Sequence, residues 1–257
     1  MRRAAIAAVA TGLLAVACTV AGRASNPSAL WDIVNGQCVP HEEKTHDPAP
    51  CVEVDLSDGV ARGHAVLKDL VGATQFLLIP TARISGIEDP QILDPDAPNY
   101  WDAAWEARYY VEERAQTPLP RNAMSLAINS EAGRTQNQLH IHVDCIRPDV
   151  QEALTAHLAQ IGEAWAPFPV PLVGHTYRAI RVEHETLDSV NPFRVLADND
   201  PKAAANMGEH TLVVVGATFP GDSRGFVILD DRADPASGDR GSGESLQDHS
   251  CALAQER

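Results

Sequence analysis

Gln138-Leu139-His140-Ile141-His142-Val143-Asp144 alternates polar and apolar residues at a period of two. As a β-strand it puts Gln138, His140 and His142 on one face and Leu139, Ile141 and Val143 on the other. The apolar side belongs in a core. The polar side carries two imidazoles and an amide over about 7 Å, a row that adds little to packing and suits a phosphate. Just upstream, Ala127-Ile128-Asn129-Ser130-Glu131-Ala132-Gly133-Arg134-Thr135-Gln136-Asn137 ends one strand and turns at Gly133 into the histidine strand. The pair predicts an antiparallel hairpin with its turn amides beside the imidazoles.

Working outward, residues 63–70 and 75–81 predict a first hairpin, and 99–116 a helix before the strand at 125–129. Arg147-Pro148-Asp149 ends the histidine strand and opens a helix to about residue 164, with Pro148 in its first turn. A short helix is expected over 29–35. Pro167-Phe168-Pro169-Val170-Pro171 breaks the chain before short strands at 177–183, 211–217 and 225–229. Val71-Gly72-Ala73-Thr74 is echoed by Val215-Gly216-Ala217-Thr218, a hint of duplicated half-sheets. Residues 230–248 are rich in Gly, Ser and Asp, and mobility is expected there. Trp31, Trp101, Trp105 and Trp165 read as core or interface anchors. The sum is an α+β chain with a catalytic core at about 60–150 and a C-terminal lobe at about 170–257.

The chain of 257 residues has a formal charge of −15, with 20 Lys and Arg against 35 Asp and Glu. Such acidity gives no general attraction for nucleic acid or anionic headgroups, so a phosphate site must rest on a few local cations. Arg2 and Arg3 followed by an apolar, Ala-rich run make residues 1–25 an export segment. Three fates stand open for it: cleavage, retention as a single anchor, or lipidation at Cys18. Beyond it lie Cys38, Cys51, Cys145 and Cys251. An even count in an exported chain favours two disulfides, with three connectivities. The preferred one is Cys38–Cys51, closing a Pro-rich loop, with Cys145–Cys251 pinning the C-terminal tail to the end of the histidine strand.

The Asn…Gly…Thr turn and the strand through His140 and His142 resemble the histidine-triad superfamily, with Gln138 at the first triad position. The closer resemblance is to the bacterial CDP-diacylglycerol pyrophosphatases. It is carried by Val66-Leu67-Lys68-Asp69-Leu70, Ser125-Leu126-Ala127-Ile128-Asn129-Ser130, Gly133-Arg134-Thr135-Gln136-Asn137, Cys145-Ile146-Arg147-Pro148-Asp149-Val150 and Gln247-Asp248-His249-Ser250-Cys251. The resemblance implies a histidine-triad-like antiparallel sheet with flanking helices and an additional C-terminal strand-containing lobe. It implies His140 as the nucleophile on the nucleoside-side phosphorus of CDP-diacylglycerol, with His142 assisting and Gln138 donating an amide hydrogen bond. Asn129, Gly133 and Thr135 fall at phosphate-lining positions, and Asp69 at a ribose-binding one. Arg134 and Arg147 are cations nearby in sequence, and Lys68 and Arg83 come from the first hairpin. No cofactor or protein partner is implied, and a membrane-associated protein facing the periplasm is expected.

An unperturbed histidine, with a pKa of about 6.5, is unprotonated often enough at neutral pH to attack phosphorus. A metal is the rival use of His-x-His, but cupin-like sites carry a Glu a few residues on, where this chain has Ile146 and Arg147. No metal is therefore expected. The remaining histidines, His249 among them, receive no role from the sequence. Two other functions use the same residues: a nucleotidylyltransferase or hydrolase of soluble dinucleotides, and a silent nucleotide- or lipid-binding protein.

Overall fold

The computed structural model describes residues 26–255, so the export segment at 1–25 and the question of Cys18 lie outside the described residues. The strands are β1 (Glu53–Asp55), β2 (His64–Lys68), β3 (Phe76–Pro80), β4 (Met124–Ile128), β5 (Ile141–Cys145), β6 (Ala166–Pro167), β7 (Arg178–Val182), β8 (His210–Phe219) and β9 (Ser223–Arg232). They form one nine-stranded sheet in the order β1-β2-β3-β5-β4-β8-β9-β7-β6, antiparallel throughout. With its helices this is an α+β architecture. The C-terminal strands continue the sheet through the β4–β8 pair, so the expected lobe shares the main core.

The sheet consists of two halves with one winding. In β2-β3-β5-β4 and in β6-β7-β9-β8, two strands are followed by helices and two more strands, placed in the same spatial order. The echoed tetrapeptides do not mark this repeat: residues 71–74 lie in the β2–β3 loop, whereas 215–218 lie inside β8.

Helices α1 (Ala29–Ile33) and α2 (Val39–Thr45) run on through a π-helical turn at Val34–Cys38. Then come α3 (Tyr100–Glu106), α4 (Arg108–Ala115), α5 (Pro148–His157), α6 (Pro192–Asn199) and α7 (Pro201–Ala204). The α5 helix has Pro148 at its start, as the sequence predicts, but gives way to a 3-10 turn at Leu158–Gln160. Asn191 caps α6 by accepting from Phe193 N, and Asp200 caps α7. Trp101 and Trp105, four residues apart on α3, set their rings edge-on against Phe193 and Phe226 at 5.1 and 4.9 Å. Among the described residues no helix is long and apolar enough to cross a membrane.

The two faces of the sheet differ. Behind it, Leu78, Leu126, Ile141, Val143, Val214 and Ile228 join α3, α4 and α6 in one continuous core. In front there are two separate clusters. One packs Leu30, Val34 and Val39 on Ala65, Leu67, Leu77 and Ile79. The other packs Val150, Leu154 and Phe168 on Ala127, Val213, Val215, Val227 and Leu229. The strand between them is β5, and its front face carries His142 and Asp144. The polar alternation of the histidine strand is thus the gap between two apolar clusters.

Candidate active site

Both histidines lie on that front face, rings 4.9 Å apart and inclined at 65°, with His140 8% and His142 4% exposed. The strand starts later than its alternation predicts, at Ile141, so His140 is the residue that enters it. His140 Nδ1 lies 2.7 Å from Gln138 O. A carbonyl only accepts, so Nδ1 carries the proton and Nε2 keeps its lone pair. Burial, opposed by the bond to Gln138, lowers the His140 pKa and keeps the ring neutral at neutral pH.

His142 has the opposite tautomer. Gln75 Nε2 donates to His142 Nδ1 at 2.6 Å and to Glu244 Oε1 at 3.1 Å. The carboxylate fixes which end of the Gln75 amide points this way, since only its NH2 end can serve both acceptors. The His142 proton is then on Nε2, which faces Glu244 Oε2 at 3.6 Å without a hydrogen bond. Burial, followed by the neighbouring His140, depresses its pKa despite Glu244.

Glu244 enters from the C-terminal tail, in the 3-10 turn Gly243–Leu246. Asn129 Nδ2 donates to Glu244 Oε2 at 3.2 Å, while Asn129 Oδ1 accepts from Glu244 N and Ser242 Oγ. Burial pushes the carboxyl up, but His142 and the amides of Gln75 and Asn129 outweigh it and hold Glu244 below the ordinary carboxylate range. His249 Nε2 lies 3.5 Å from Glu244 Oε1. Two amides and two imidazoles therefore converge on one carboxylate, a donor set complementary to an anion.

His249 Nδ1 meets Asp144 Oδ2 at 2.9 Å, and Thr74 Oγ1 and Cys145 N donate to Asp144 Oδ1 at 2.7 and 2.9 Å. Three donors mark Asp144 as ionised, although burial raises its pKa. The Asp144 bond, against burial, raises the His249 pKa above the ordinary value of 6.5. The proton therefore belongs to His249.

From Gly241 onward the segment expected to be mobile is packed onto the sheet. Gln247 Nε2 donates to Ser125 O, Ser125 Oγ and His142 O, and Gly243 lies so close to Thr211 and Val213 that a Cβ would come within 2.7 Å of both side chains. Cys145–Cys251 holds its end with Cα atoms 5.2 Å apart, and Cys38–Cys51 joins the π-helical turn to the loop before β1 at 5.6 Å. Both preferred pairings are present. Gly241 and Gly243 in this segment serve close packing.

The other expected site residues are placed differently. Gln138 donates to Pro80 O and Ala82 O at 3.0 and 2.8 Å, which uses its two amide hydrogens to hold the end of β3. Arg134 forms a two-pronged ion pair with Glu88, and Arg147 one with Asp149 at 2.9 Å. Lys68 turns back onto Asp69 O and Gly72 O, and Arg83 stacks over Trp31. Asp69 accepts from Val71 N, and its charge also acts on His140. Gly133 N donates to Ser130, and Thr135 is exposed on the same turn. Asn129 braces Glu244, not the nucleophile. The sequence reading missed Gln75, Glu244 and His249. The available signal was the block Gln247–Cys251, which sets a histidine two residues before a cysteine paired to the histidine strand. Among the described residues, a tight His/carboxylate group elsewhere joins His175, Asp231 and Asp239 and includes none of these side chains.

Replacing Gln138 by alanine leaves two buried carbonyls without donors. The expected loss is about 1–3 kcal/mol of stability for each, with activity reduced rather than abolished. Denaturant unfolding beside turnover checks this split.

A neutral imidazole with an oriented lone pair, beside donors gathered for an anion, is an arrangement able to carry phosphoryl or nucleotidyl transfer. The family model described as CDP-diacylglycerol pyrophosphatase matches residues 25–255. A CDP-diacylglycerol pyrophosphatase from Yersinia pestis is 46% identical over 231 residues, 90% of this chain and 86% of that protein. The chain belongs to the CDP-diacylglycerol pyrophosphatase family.

Proposed function

We propose that this protein hydrolyses CDP-diacylglycerol to CMP and phosphatidate through a cytidylyl intermediate on His140, as a step of phospholipid metabolism. The observation that carries the reading is the His140 Nδ1–Gln138 O bond, which leaves Nε2 unprotonated and held in one orientation. His140 Nε2 attacks the cytidine-side phosphorus. A P–N bond forms, and the P–O bond to phosphatidate breaks. Water then attacks the same phosphorus, the P–N bond breaks and CMP leaves, so two easier displacements replace one. The oxygens of the transferring group take the place now held by the Glu244 carboxylate, facing His142 Nε2–H, His249 and the amides of Gln75 and Asn129. Arg134 and Arg147 are neutralised by carboxylates, so the charge opposite the phosphoryl group is that of His249, whose protonated form Asp144 favours. Residues 1–25 support export and a membrane-associated location.

Hydrolysis in heavy-oxygen water tests the reading, with the label expected in CMP and not in phosphatidate. Label in phosphatidate would place attack on the other phosphorus and refute it.

The pH dependence follows from the two shifts. His140 is lowered, so its protonation and the acid limb of activity fall below the ordinary histidine range. His249 is raised by its bond to Asp144, so it keeps its charge to higher pH than an ordinary histidine, and activity falls as pH rises through its raised pKa. Its stabilising effect likewise is full below 6.5 and is lost as pH rises through the raised value. His249→Asn keeps a hydrogen bond to Asp144 without titrating. It is expected to lower kcat by about 10²-fold and to remove the alkaline limb, which a pH profile of kcat reads directly.

A further inference from the structure

The β2–β3 loop ends in an apolar tip. Leu70 is fully exposed and Val71 is 55% exposed, although the chain as a whole is strongly acidic. The residues that follow descend straight into the site. Gly72, at φ +71°, lies against His249 so closely that a Cβ would come within 2.4 Å of the His249 Cβ, and Ala73 N donates to His249 O. Thr74 then bonds Asp144, and Gln75 bonds His142. From Val71 to Gln75 the chain spans at most about 14 Å.

We propose that Leu70 and Val71 insert into the interfacial layer of a lipid bilayer and bring the histidine site against the headgroup of its lipid substrate. The inference rests on the proposed substrate and says how a site in an acidic protein reaches a diacyl lipid. Two observations single out a bilayer as the occupant. First, the tip at residues 70–73 carries no charged or polar side chain, and the base of the loop is braced by its own hydrogen bonds. Asp69 N donates to Gln75 O, Val71 N to the Asp69 carboxylate, and Lys68 Nζ to Asp69 O and Gly72 O. Second, two cations, Lys68 and Arg114, stand at the base of the tip beside the one carboxylate of Asp69. Lys68 lies over Phe76, and Arg114 Nε donates to Ala73 O. Cations below an apolar wedge match lipid phosphates at the boundary of the acyl layer.

The test uses the full-length protein and the double variant Leu70→Ser/Val71→Ser. Both side chains are exposed, and neither is assigned to the catalytic or binding machinery. With long-chain CDP-diacylglycerol in phosphatidylcholine vesicles, kcat/KM is expected to fall about tenfold or more, the effect of losing two apolar anchors. With a short-chain analogue dissolved as monomers it is expected to stay within about twofold. Equal loss on both substrates, or none on either, overturns the proposal. Amide hydrogen exchange over residues 69–75 gives a readout independent of turnover. Wild-type protein on phosphatidylcholine vesicles should exchange more slowly there than in solution, and unchanged exchange overturns the proposal. Protection that arises on concentrating the protein without vesicles assigns the tip to a second copy, which also overturns it. Protection on vesicles without hydrolysis of either substrate supports the docking surface and refutes the substrate assignment instead.

Discussion

His140→Ala is expected to lose turnover of CDP-diacylglycerol by about 10³-fold or more while remaining folded. The size follows from the site. No neighbour can take the part proposed for His140, because His142 Nδ1 accepts from Gln75 and its Nε2 holds the proton, and His249 is tied to Asp144. His140 is also the residue entering β5, with its ring on the polar gap between the two front clusters, so alanine removes chemistry and little core packing. Steady-state kinetics beside a thermal unfolding curve separates the two. A variant with a near wild-type midpoint and no turnover supports the nucleophile, whereas one retaining a tenth of wild-type activity does not fit the account.

The second large effect is expected from Cys145→Ser or Cys251→Ser. This disulfide spans 106 residues, and constraint of so long a loop in the unfolded chain corresponds to about 4–5 kcal/mol. Its loss also frees the end of the segment that carries Glu244 and His249 onto β5. Activity should therefore fall before the sheet melts, at denaturant concentrations where the core fluorescence of Trp101 and Trp105 is still native. Cys38–Cys51 closes a loop with a separation of only 13 and touches no site residue. Its removal should cost stability with little loss of turnover in the fraction that stays folded. Activity and fluorescence transitions that coincide in the Cys251 variant would contradict the tail's assigned part in the site.

Much of the fold was legible because local pattern and burial agree. The alternation in residues 138–144 marks two faces, and the structure puts Ile141 and Val143 in the rear core and His142 on the polar front. Both disulfides match the pairing preferred among the three connectivities that four cysteines allow. The site was legible only where it is local. Arg134 stands beside the motif in sequence and Lys68 in the first hairpin, but Glu88 and nearby backbone carbonyls take up their hydrogen-bonding groups. Arg147 meets Asp149 two residues on, a pairing that was visible in the sequence. Glu244 and His249 return to β5 from 100 residues or so downstream, through a segment whose glycines imitate a mobile tail. Gln75 reads as the start of a strand, and only the β3–β5 pairing carries its side chain to His142.

The most direct test of the account is rapid-quench intact-mass spectrometry of the oxidised protein after brief mixing with CDP-diacylglycerol. The account predicts a transient increment of one cytidylyl group that maps to His140 and decays as CMP accumulates. CMP release at the full rate with no adduct at any time, or an adduct mapping to His142 or His249, would contradict it.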